Sequence, residues 1–285
     1  MKLEPVVFLV LILLTSAASA QLTAVTFGDS LTHNDLLGIF QGNPQDLYGD
    51  DPMQAVYKKA ATLSDRLDNY AVAASSAGQV DGQIDLYELN RTLGPQPQAG
   101  VIGYEIGGND IRRNMSLLTQ HGVDENMAAD TVVTEIMLNN INQLSRLASG
   151  HPNGRAILWT IPDVTLTPEW YGVLTQQQIA NVEAHTLRAN EYINSLASLP
   201  NVVVLDLFSF LREVVANPPV IMGQALVGPP AMGAYDNIFA DSVHPTAVAN
   251  ALIANAMIEA INVKWGLGIP LYSEQELADI ANIPH

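Results

Sequence analysis

The sequence contains no cysteine among its 285 residues. Disulfide bonds, a thiol nucleophile and thiolate-bound metals are therefore excluded. Charged residues are also scarce, at 14%, and the 12 basic residues are outnumbered by 29 acidic ones, which gives a formal net charge of −17. Because such a surface repels nucleic acid and anionic lipid headgroups, we expect neither to be a partner.

Long hydrophobic runs are absent as well, apart from residues 6–14 near the N-terminus. This run is shorter than the ~20 residues that span a bilayer, so an uncleaved membrane anchor is the weaker interpretation. It precedes Ala18-Ser19-Ala20, the small residues typical of a signal-peptide cleavage site. We therefore expect residues 1–20 to be a signal peptide removed after Ala20. The mature chain 21–285 would be secreted or periplasmic, without stable insertion into a membrane.

The mature chain alternates short β-type runs with longer helical patterns. Five runs predict strands at 23–27, 69–72, 100–106, 155–161 and 202–207. Helical patterns lie at 52–67, 130–149, 175–199 and 246–263, and a short one with a capping box lies at 273–281. Strands that alternate with helices indicate a parallel sheet covered on both faces. We expect one α/β domain that ends in a short helix.

Three short motifs lie at positions suited to chemistry in such a fold. Gly28-Asp29-Ser30-Leu31 follows the first predicted strand, and Gly107-Gly108-Asn109-Asp110 follows the third. Because active sites of parallel sheets lie beyond the carboxyl ends of the strands, these two motifs should meet there. Asp241-Ser242-Val243-His244 precedes the last long helix. Its acid and histidine would share one face if the segment is helical.

A serine becomes a nucleophile when a nearby imidazole, oriented by a third group, removes its proton. Ser30, His244 and Asp241 are candidates for these roles, although Ser30 alone could equally be a helix N-cap after a strand. His33 is the alternative imidazole, but we expect it at the rim of the pocket. Three further histidines are expected at the surface: His121, His151 and His185. No cluster of His, Asp or Glu has the spacing of a metal site.

The three motifs resemble the sequence blocks of the SGNH hydrolases, also called GDSL lipases/esterases, and occur in that family's order over essentially the whole mature chain. The resemblance implies a three-layer α/β/α sandwich with a flavodoxin-like, five-stranded parallel sheet. It also implies hydrolysis of carboxylic esters through an acyl-enzyme, without a metal or other cofactor. By the same resemblance Ser30 is the nucleophile and His244 the general base and acid. Asp241 is then the carboxylate that orients the imidazole.

The resemblance further implies an oxyanion hole formed by the Ser30 backbone N–H, the Asn109 side-chain amide and a third N–H. The family usually places a glycine at the third position, five residues after an asparagine. Counting from Asn69 puts Ala74 there, and Gly78 is the substitute under a shifted register. Alanine keeps the N–H but costs about 1–2 kcal/mol if the position requires a positive φ.

Two irregular segments are candidates for shaping a substrate pocket. Residues 163–172 contain Trp170 and Tyr171, and the apolar segment 217–240 contains Met222 and Tyr235. A long apolar loop beside a catalytic motif often forms a pocket, although simple packing on the core explains it equally well.

The apolar segment favours a small-molecule or lipid ester with an aliphatic acyl chain, as in a lipase or general esterase. One alternative, which the family also includes, is a carbohydrate acetylesterase acting on plant polysaccharide, in which Trp170 and Tyr171 would stack on sugar rings. An alternative of another class is a catalytically silent ligand-binding protein on the same fold. Its support is the missing glycine at position 74.

Overall fold

The computed structural model describes residues 23–33, 45–60, 66–94 and 98–285, so the predicted signal peptide and its cleavage site lie outside the described residues. Five parallel strands form one sheet in the order β2-β1-β3-β4-β5. The strands are β1 (Thr23–Gly28), β2 (Arg66–Asn69), β3 (Ala99–Glu105), β4 (Arg155–Trp159) and β5 (Val202–Leu205). This is the flavodoxin-like order, in which the ligand crevice opens between β1 and β3. The predicted fold class is confirmed.

Helices connect and cover these strands. They are α1 (Gln45–Tyr48), α2 (Pro52–Lys59), α3 (Val80–Leu93), α4 (Gly108–Arg113), α5 (Met115–Leu118), α6 (Met127–Gly150), α7 (Gln176–Ser195), α8 (Leu207–Ala216), α9 (Ala247–Trp265) and α10 (Glu274–Ile280). A two-stranded hairpin, β6 (Val220–Ile221) and β7 (Gln224–Ala225), lies within the segment 217–240. In the described part of the chain no helix is both long and apolar enough to cross a membrane.

The sheet buries side chains on both faces, which makes the fold a three-layer sandwich. Phe27 and Tyr104 pack in one core with residues of α3, α6 and α7. Val101 and Trp159 pack in the other core with residues of α2 and α9. Successive residues of a strand point to opposite faces, so a strand covered on both sides is apolar throughout. This is why β1, β3, β4 and β5 could be found from continuous apolar runs.

The second strand was predicted wrongly at 69–72, and the preceding helix was predicted to continue to residue 67. Helix α2 ends at Lys59, and β2 occupies Arg66–Asn69, where Arg66 pairs with Thr23. β2 lies at the edge of the sheet, and its sequence Arg-Leu-Asp-Asn is partly exposed along its whole length. An edge strand of this composition has no apolar alternation by which it could be recognised.

Helices α3 and α8 were not predicted, and both contribute to the site. The predicted strand 202–207 overran the start of α8, because Asp206 ends the strand and caps the helix. The Ser209 N–H donates to Asp206 Oδ1 at 3.1 Å, the contact of an N-cap. An apolar strand and an apolar helix that are separated by one cap residue are easily interpreted as a single longer strand.

The expectation of surface positions was wrong for two of the three histidines. His151 and His185 are 4% and 0% exposed. His185 lies on the buried stripe of α7 with Val182 and Ala189, and its Nε2 is 3.0 Å from the His121 carbonyl oxygen. The spacing of three and four residues between these buried positions was visible in the sequence and places His185 on the core side.

Candidate active site

Ser30, His244 and Asp241 form one continuous chain of contacts. The Oγ atom of Ser30 lies 2.9 Å from Nε2 of His244. On the other side of the ring, Nδ1 of His244 lies 2.8 Å from Oδ2 of Asp241. Both distances are those of hydrogen bonds, and they link a hydroxyl through an imidazole to a carboxylate. This arrangement allows the imidazole to take the serine proton while the carboxylate holds the ring.

A tight turn, and not a helix, brings Asp241 and His244 together. Oδ1 of Asp241 accepts the N–H groups of Val243 and His244, at 2.8 and 2.7 Å. The Ala240 N–H closes the turn by donating to the His244 carbonyl at 2.8 Å. One carboxylate oxygen therefore fixes the backbone of the motif while the other faces the ring.

The environment of Asp241 keeps its carboxyl ionised. Burial raises the pKa of Asp241, but the hydrogen bond and charge of His244 and the two backbone N–H groups outweigh burial and lower the pKa to about 2. Oδ2 also accepts a hydrogen bond from the Tyr48 hydroxyl, at 3.2 Å. Sequence reasoning did not find Tyr48, because it lies 193 residues before Asp241 and belongs to no motif.

Gly28 places the serine motif against the end of β3. A Cβ atom at this position would lie 2.2 Å from the Glu105 carbonyl oxygen, and its φ of +152° is rare for other residues. The side chain of Gln83, on α3, binds both polar groups of the Gly28 backbone. It accepts from the N–H at 2.9 Å and donates to the carbonyl at 2.8 Å. Gln83 was not predicted to support the site.

Asp29 fixes the turn at Ser30 and also contacts Asn109. Its Oδ1 accepts the Leu31 N–H at 3.0 Å, and its Oδ2 accepts from Nδ2 of Asn109 at 2.9 Å. The same Nδ2 lies 3.1 Å from the carbonyl oxygen of Ser75. Since an amide nitrogen carries two hydrogens, both donors of Asn109 already have acceptors. A further acceptor next to Ser30 must share one of these N–H groups or displace one acceptor.

Ala74 has a φ of +62°, the left-handed conformation in which alanine is strained and glycine is not. Gly78 lies in the 3₁₀ turn Ala77–Gln79 and has no positive φ, so it does not substitute for this geometry. Within the described residues, the N–H groups of Ser30 and Ala74 donate no hydrogen bond. Asn109 connects the two, because its acceptors belong to Asp29 and Ser75, the neighbours of Ser30 and Ala74.

His33, the alternative imidazole, is engaged elsewhere. Its Nδ1 lies 2.7 Å from the Ala71 carbonyl oxygen, and the ring that contacts the Ser30 hydroxyl is that of His244. The residues described in the structure contain no group of three or more His, Asp or Glu side chains that could hold a metal ion.

An apolar cavity extends from Ser30 between α8 and α9. Its volume is about 80 Å³. Its walls include Leu207, Phe210, Leu211 and Val214 of α8 and Ala249, Leu252 and Ile253 of α9. Asp29 and Asn109 also line this cavity, so it adjoins the motifs that contain Ser30 and Asn109. Such a cavity excludes water around a bound apolar group.

The two irregular segments line this cavity, but through other residues than those predicted. Val164 and Thr167 contribute from 163–172, and Ile238 and Phe239 from 217–240. The predicted substrate residues do not line the cavity: Trp170, Tyr171, Met222 and Tyr235. Trp170 is partly buried and packs against the core that includes residues of α3, α6 and α7. Tyr171 and Met222 are exposed. Tyr235 lines a separate cavity together with Tyr272.

Comparison with known proteins places this geometry in a family. The family model described as GDSL-like Lipase/Acylhydrolase matches residues 25–257, which include all three motifs. No curated protein matches the chain.

Among solved structures, the chain is similar to the lipase Lip_vut3 from a goat rumen metagenome, with a TM-score of 0.57, 14% identity and coverage of 84% of this chain and 97% of that one. It is similar to phospholipase A1 from Streptomyces albidoflavus, with a TM-score of 0.51, 17% identity and coverage of 86% of this chain and 100% of that one. It is also similar to the acetyl xylan esterase AlAXEase, with a TM-score of 0.50, 18% identity and coverage of 84% of this chain and 100% of that one. At these identities the structures show a shared fold, and the family match shows the relationship: the chain belongs to the GDSL-like lipase/acylhydrolase family.

Proposed function

We propose that this protein is a serine hydrolase that cleaves carboxylic esters through an acyl-enzyme. The observation that carries the proposal is the chain of contacts from Ser30 through His244 to Asp241, with distances of 2.9 and 2.8 Å. A hydroxyl, an imidazole and an ionised carboxylate in this order form a nucleophile with its general base.

In the proposed reaction, Nε2 of His244 takes the Ser30 proton as Oγ attacks the ester carbonyl. The imidazolium, held by Asp241, then donates that proton to the leaving alcohol, and an acyl group remains on Ser30. Water deprotonated by His244 attacks the acyl-enzyme, the bond between Ser30 Oγ and the acyl carbon breaks to release the acid, and the imidazolium returns its proton to Oγ. General-base assistance of this kind contributes about 10²–10⁴-fold to the rate.

The negative oxygen formed in each attack needs donors that are already in place. We assign this role to the N–H groups of Ser30 and Ala74, which donate no hydrogen bond in the described structure, and to the Asn109 amide. One such donor contributes about 2.7–4 kcal/mol of transition-state stabilisation.

The apolar cavity favours an aliphatic acyl chain as the acid part of the substrate. Burial of one CH₂ group is worth about 0.8 kcal/mol, which corresponds to about a fourfold gain in kcat/KM per added methylene while the chain still fits. An acetyl group would use little of this apolar lining, so we rank a lipase or general esterase before a carbohydrate acetylesterase. We also propose that residues 1–20 direct export. In that case, N-terminal sequencing of the exported protein should begin at Gln21.

The proposal is tested with the purified chain from Gln21 onward and p-nitrophenyl esters from acetate to palmitate, together with acetylated xylan. We expect hydrolysis of the esters that rises with chain length to an optimum, and its loss in Ser30→Ala. Ser149→Ala, an exposed serine on α6, is the matched control and should retain activity. Preference for acetate or xylan would favour the acetylesterase, and no hydrolysis of any substrate would favour the ligand-binding alternative.

A variant that fills the cavity tests the acyl-chain assignment separately. Leu252→Trp should shift the optimum to shorter esters while acetate is still hydrolysed, because Leu252 lines the cavity. Val263→Trp, on the same helix but 89% exposed, is the control. An unchanged optimum in Leu252→Trp would place the acyl chain elsewhere.

A further inference from the structure

Glu105 is a buried acid that the catalytic motifs do not account for. It ends β3, directly before the turn that leads to Asn109, and its side chain is 0% exposed. Neither of its carboxyl oxygens accepts a hydrogen bond from an N–H or hydroxyl donor within the described part of the chain. A buried carboxylate without a donor is strongly disfavoured, so the group needs either a proton or a partner.

The carboxyl group beside it is that of Asp29: Asp29 follows Gly28, which pairs with Glu105 across β1 and β3, and after burial the charge and hydrogen bonding of Asp29 contribute most to raising the pKa of Glu105. Asp29 already accepts two hydrogen bonds, from the Leu31 N–H and from Nδ2 of Asn109. Two carboxyl groups form a hydrogen bond only if one of them carries a proton. Since Asp29 has the donors and Glu105 has none, the proton resides on Glu105.

We propose that Glu105 is a positioning residue: its protonated carboxyl donates to Asp29, which in turn orients the Asn109 amide beside Ser30. The pair then carries one negative charge and not two. This matters because a second charge next to Asn109 would oppose the negative oxygen that develops during ester hydrolysis. The part concerning hydrolysis rests on the proposed function, whereas the shared proton does not.

The titration of the pair depends on the groups around it. Burial raises the pKa of Glu105 well above its usual range, and the charge and hydrogen bond of Asp29 and the charge of Asp110 raise it further. Burial also raises the pKa of Asp29, while the Leu31 N–H, Glu105, His244 and Asn109 lower it in part. Burial also raises the pKa of Asp110, which follows on α4, while the Ala77 N–H and the charge of Arg113 lower it in part. Asp110, His244 and Arg113 remain in place when only Glu105 is substituted, and glutamine at position 105 keeps a neutral donor for Asp29.

The first test measures unfolding in urea from pH 5 to 9 for the wild type and Glu105→Gln. The unfolded chain ionises Glu105 above its ordinary pKa, whereas the folded protein keeps it protonated. Wild-type stability should therefore fall as pH rises, and its unfolding equilibrium constant should increase up to tenfold per pH unit relative to Glu105→Gln. Parallel pH dependences in the two proteins would overturn the proposal.

An infrared measurement on the folded protein avoids reliance on variant stability. The wild type at pH 7 should show a protonated-carboxyl band that is missing from Glu105→Gln. A wild-type spectrum without such a band would overturn the shared proton even if the variant failed to fold.

Kinetics test the positioning role. Glutamine keeps an uncharged donor for Asp29, so Glu105→Gln should keep kcat within about threefold of the wild type. Leucine removes the donor, and Glu105→Leu should lower kcat by about tenfold with KM little changed. Equal kcat values for the two variants would overturn the positioning role. If the wild type hydrolyses no ester, the proposed function and the positioning role fail together, while the unfolding and infrared results still decide the shared proton.

Discussion

The Tyr48 hydroxyl donates a 3.2 Å hydrogen bond to Oδ2 of Asp241, the same oxygen that lies 2.8 Å from Nδ1 of His244. The ring of Tyr48 also contacts that of His244 edge-on, with centroids 6.3 Å apart. The Asp241 carboxylate is therefore held by its own turn on one oxygen and by a distant tyrosine and the imidazole on the other.

Removing the tyrosine hydroxyl should weaken catalysis without abolishing it. A single hydrogen bond contributes about 0.5–1.5 kcal/mol, so Tyr48→Phe should lower kcat/KM for a p-nitrophenyl ester by about two- to thirteenfold. Tyr192→Phe, in the cavity that also contains His151 and Pro152, is the control and should have no effect. Equal rates for Tyr48→Phe and the wild type would show that the tyrosine is not needed to orient Asp241.

Asp241→Asn should be far more damaging than its small change in shape suggests. An amide donates to Nδ1 of His244, which leaves the hydrogen on Nε2, the atom that must accept the Ser30 proton. In a serine–histidine–aspartate triad this exchange lowers kcat by about 10⁴-fold, and we expect a loss of that order here.

The same variant should change stability at acid pH. The pKa of Asp241 is lowered to about 2 in the folded protein, so its stabilising contribution is present above the ordinary aspartate pKa of about 3.8 and is lost as pH falls towards 2. Asp241→Asn should therefore lose less stability than the wild type between pH 4 and pH 2 in urea titrations. An equal loss of stability between pH 4 and pH 2 in the variant and the wild type would contradict the lowered pKa.

Ala74→Gly should stabilise the protein and preserve activity. Alanine at φ +62° is strained by about 1–2 kcal/mol, and glycine relieves this at a smaller entropic cost, for a net gain of up to about 1 kcal/mol. The neighbouring Ala73→Gly lacks that strain and should be destabilising. Thermal unfolding of both variants and the wild type tests this prediction, and a Tm for Ala74→Gly below that of the wild type would contradict it.

Gln83→Leu should destabilise the protein, because Gln83 binds the backbone of Gly28 at the start of the serine motif. The substitution leaves the N–H of Gly28 without its partner and removes one donor to the Gly28 carbonyl, which costs about 2–3 kcal/mol in a buried site. Gln120→Leu, at an exposed position, should change the free energy of unfolding by less than about 0.5 kcal/mol. Similar values for both variants would mean that Gln83 does not support Gly28.

The sequence was informative wherever the determining signal is local. Ser30 and Asn109 could be placed at one edge of the sheet because continuous apolar runs precede them and short turns follow. The strain at Ala74 could be anticipated because a glycine is usual there. β2 could not be placed, because an edge strand buries little and its polar composition shows no period.

The supporting residues are a different case. Tyr48, Gln83 and Glu105 act through contacts with residues that are distant in the chain, such as the 193 positions between Tyr48 and Asp241. None of them belongs to a recognisable motif, and each lies on an element whose sequence is explained by helix or strand formation alone. The same holds for the cavity walls, which α8 and α9 form only after both helices have packed on the sheet.

The central claim is that Ser30 is a nucleophile activated by His244, and covalent labelling measures this without any assumption about the substrate. The purified chain is treated with an alkyl fluorophosphonate, and its intact mass and peptide map are recorded over time for the wild type, Ser30→Ala and His244→Ala. The account predicts one adduct per chain on Ser30 in the wild type, none in Ser30→Ala, and much slower labelling in His244→Ala. An adduct on another residue, or labelling at the wild-type rate without His244, would contradict it.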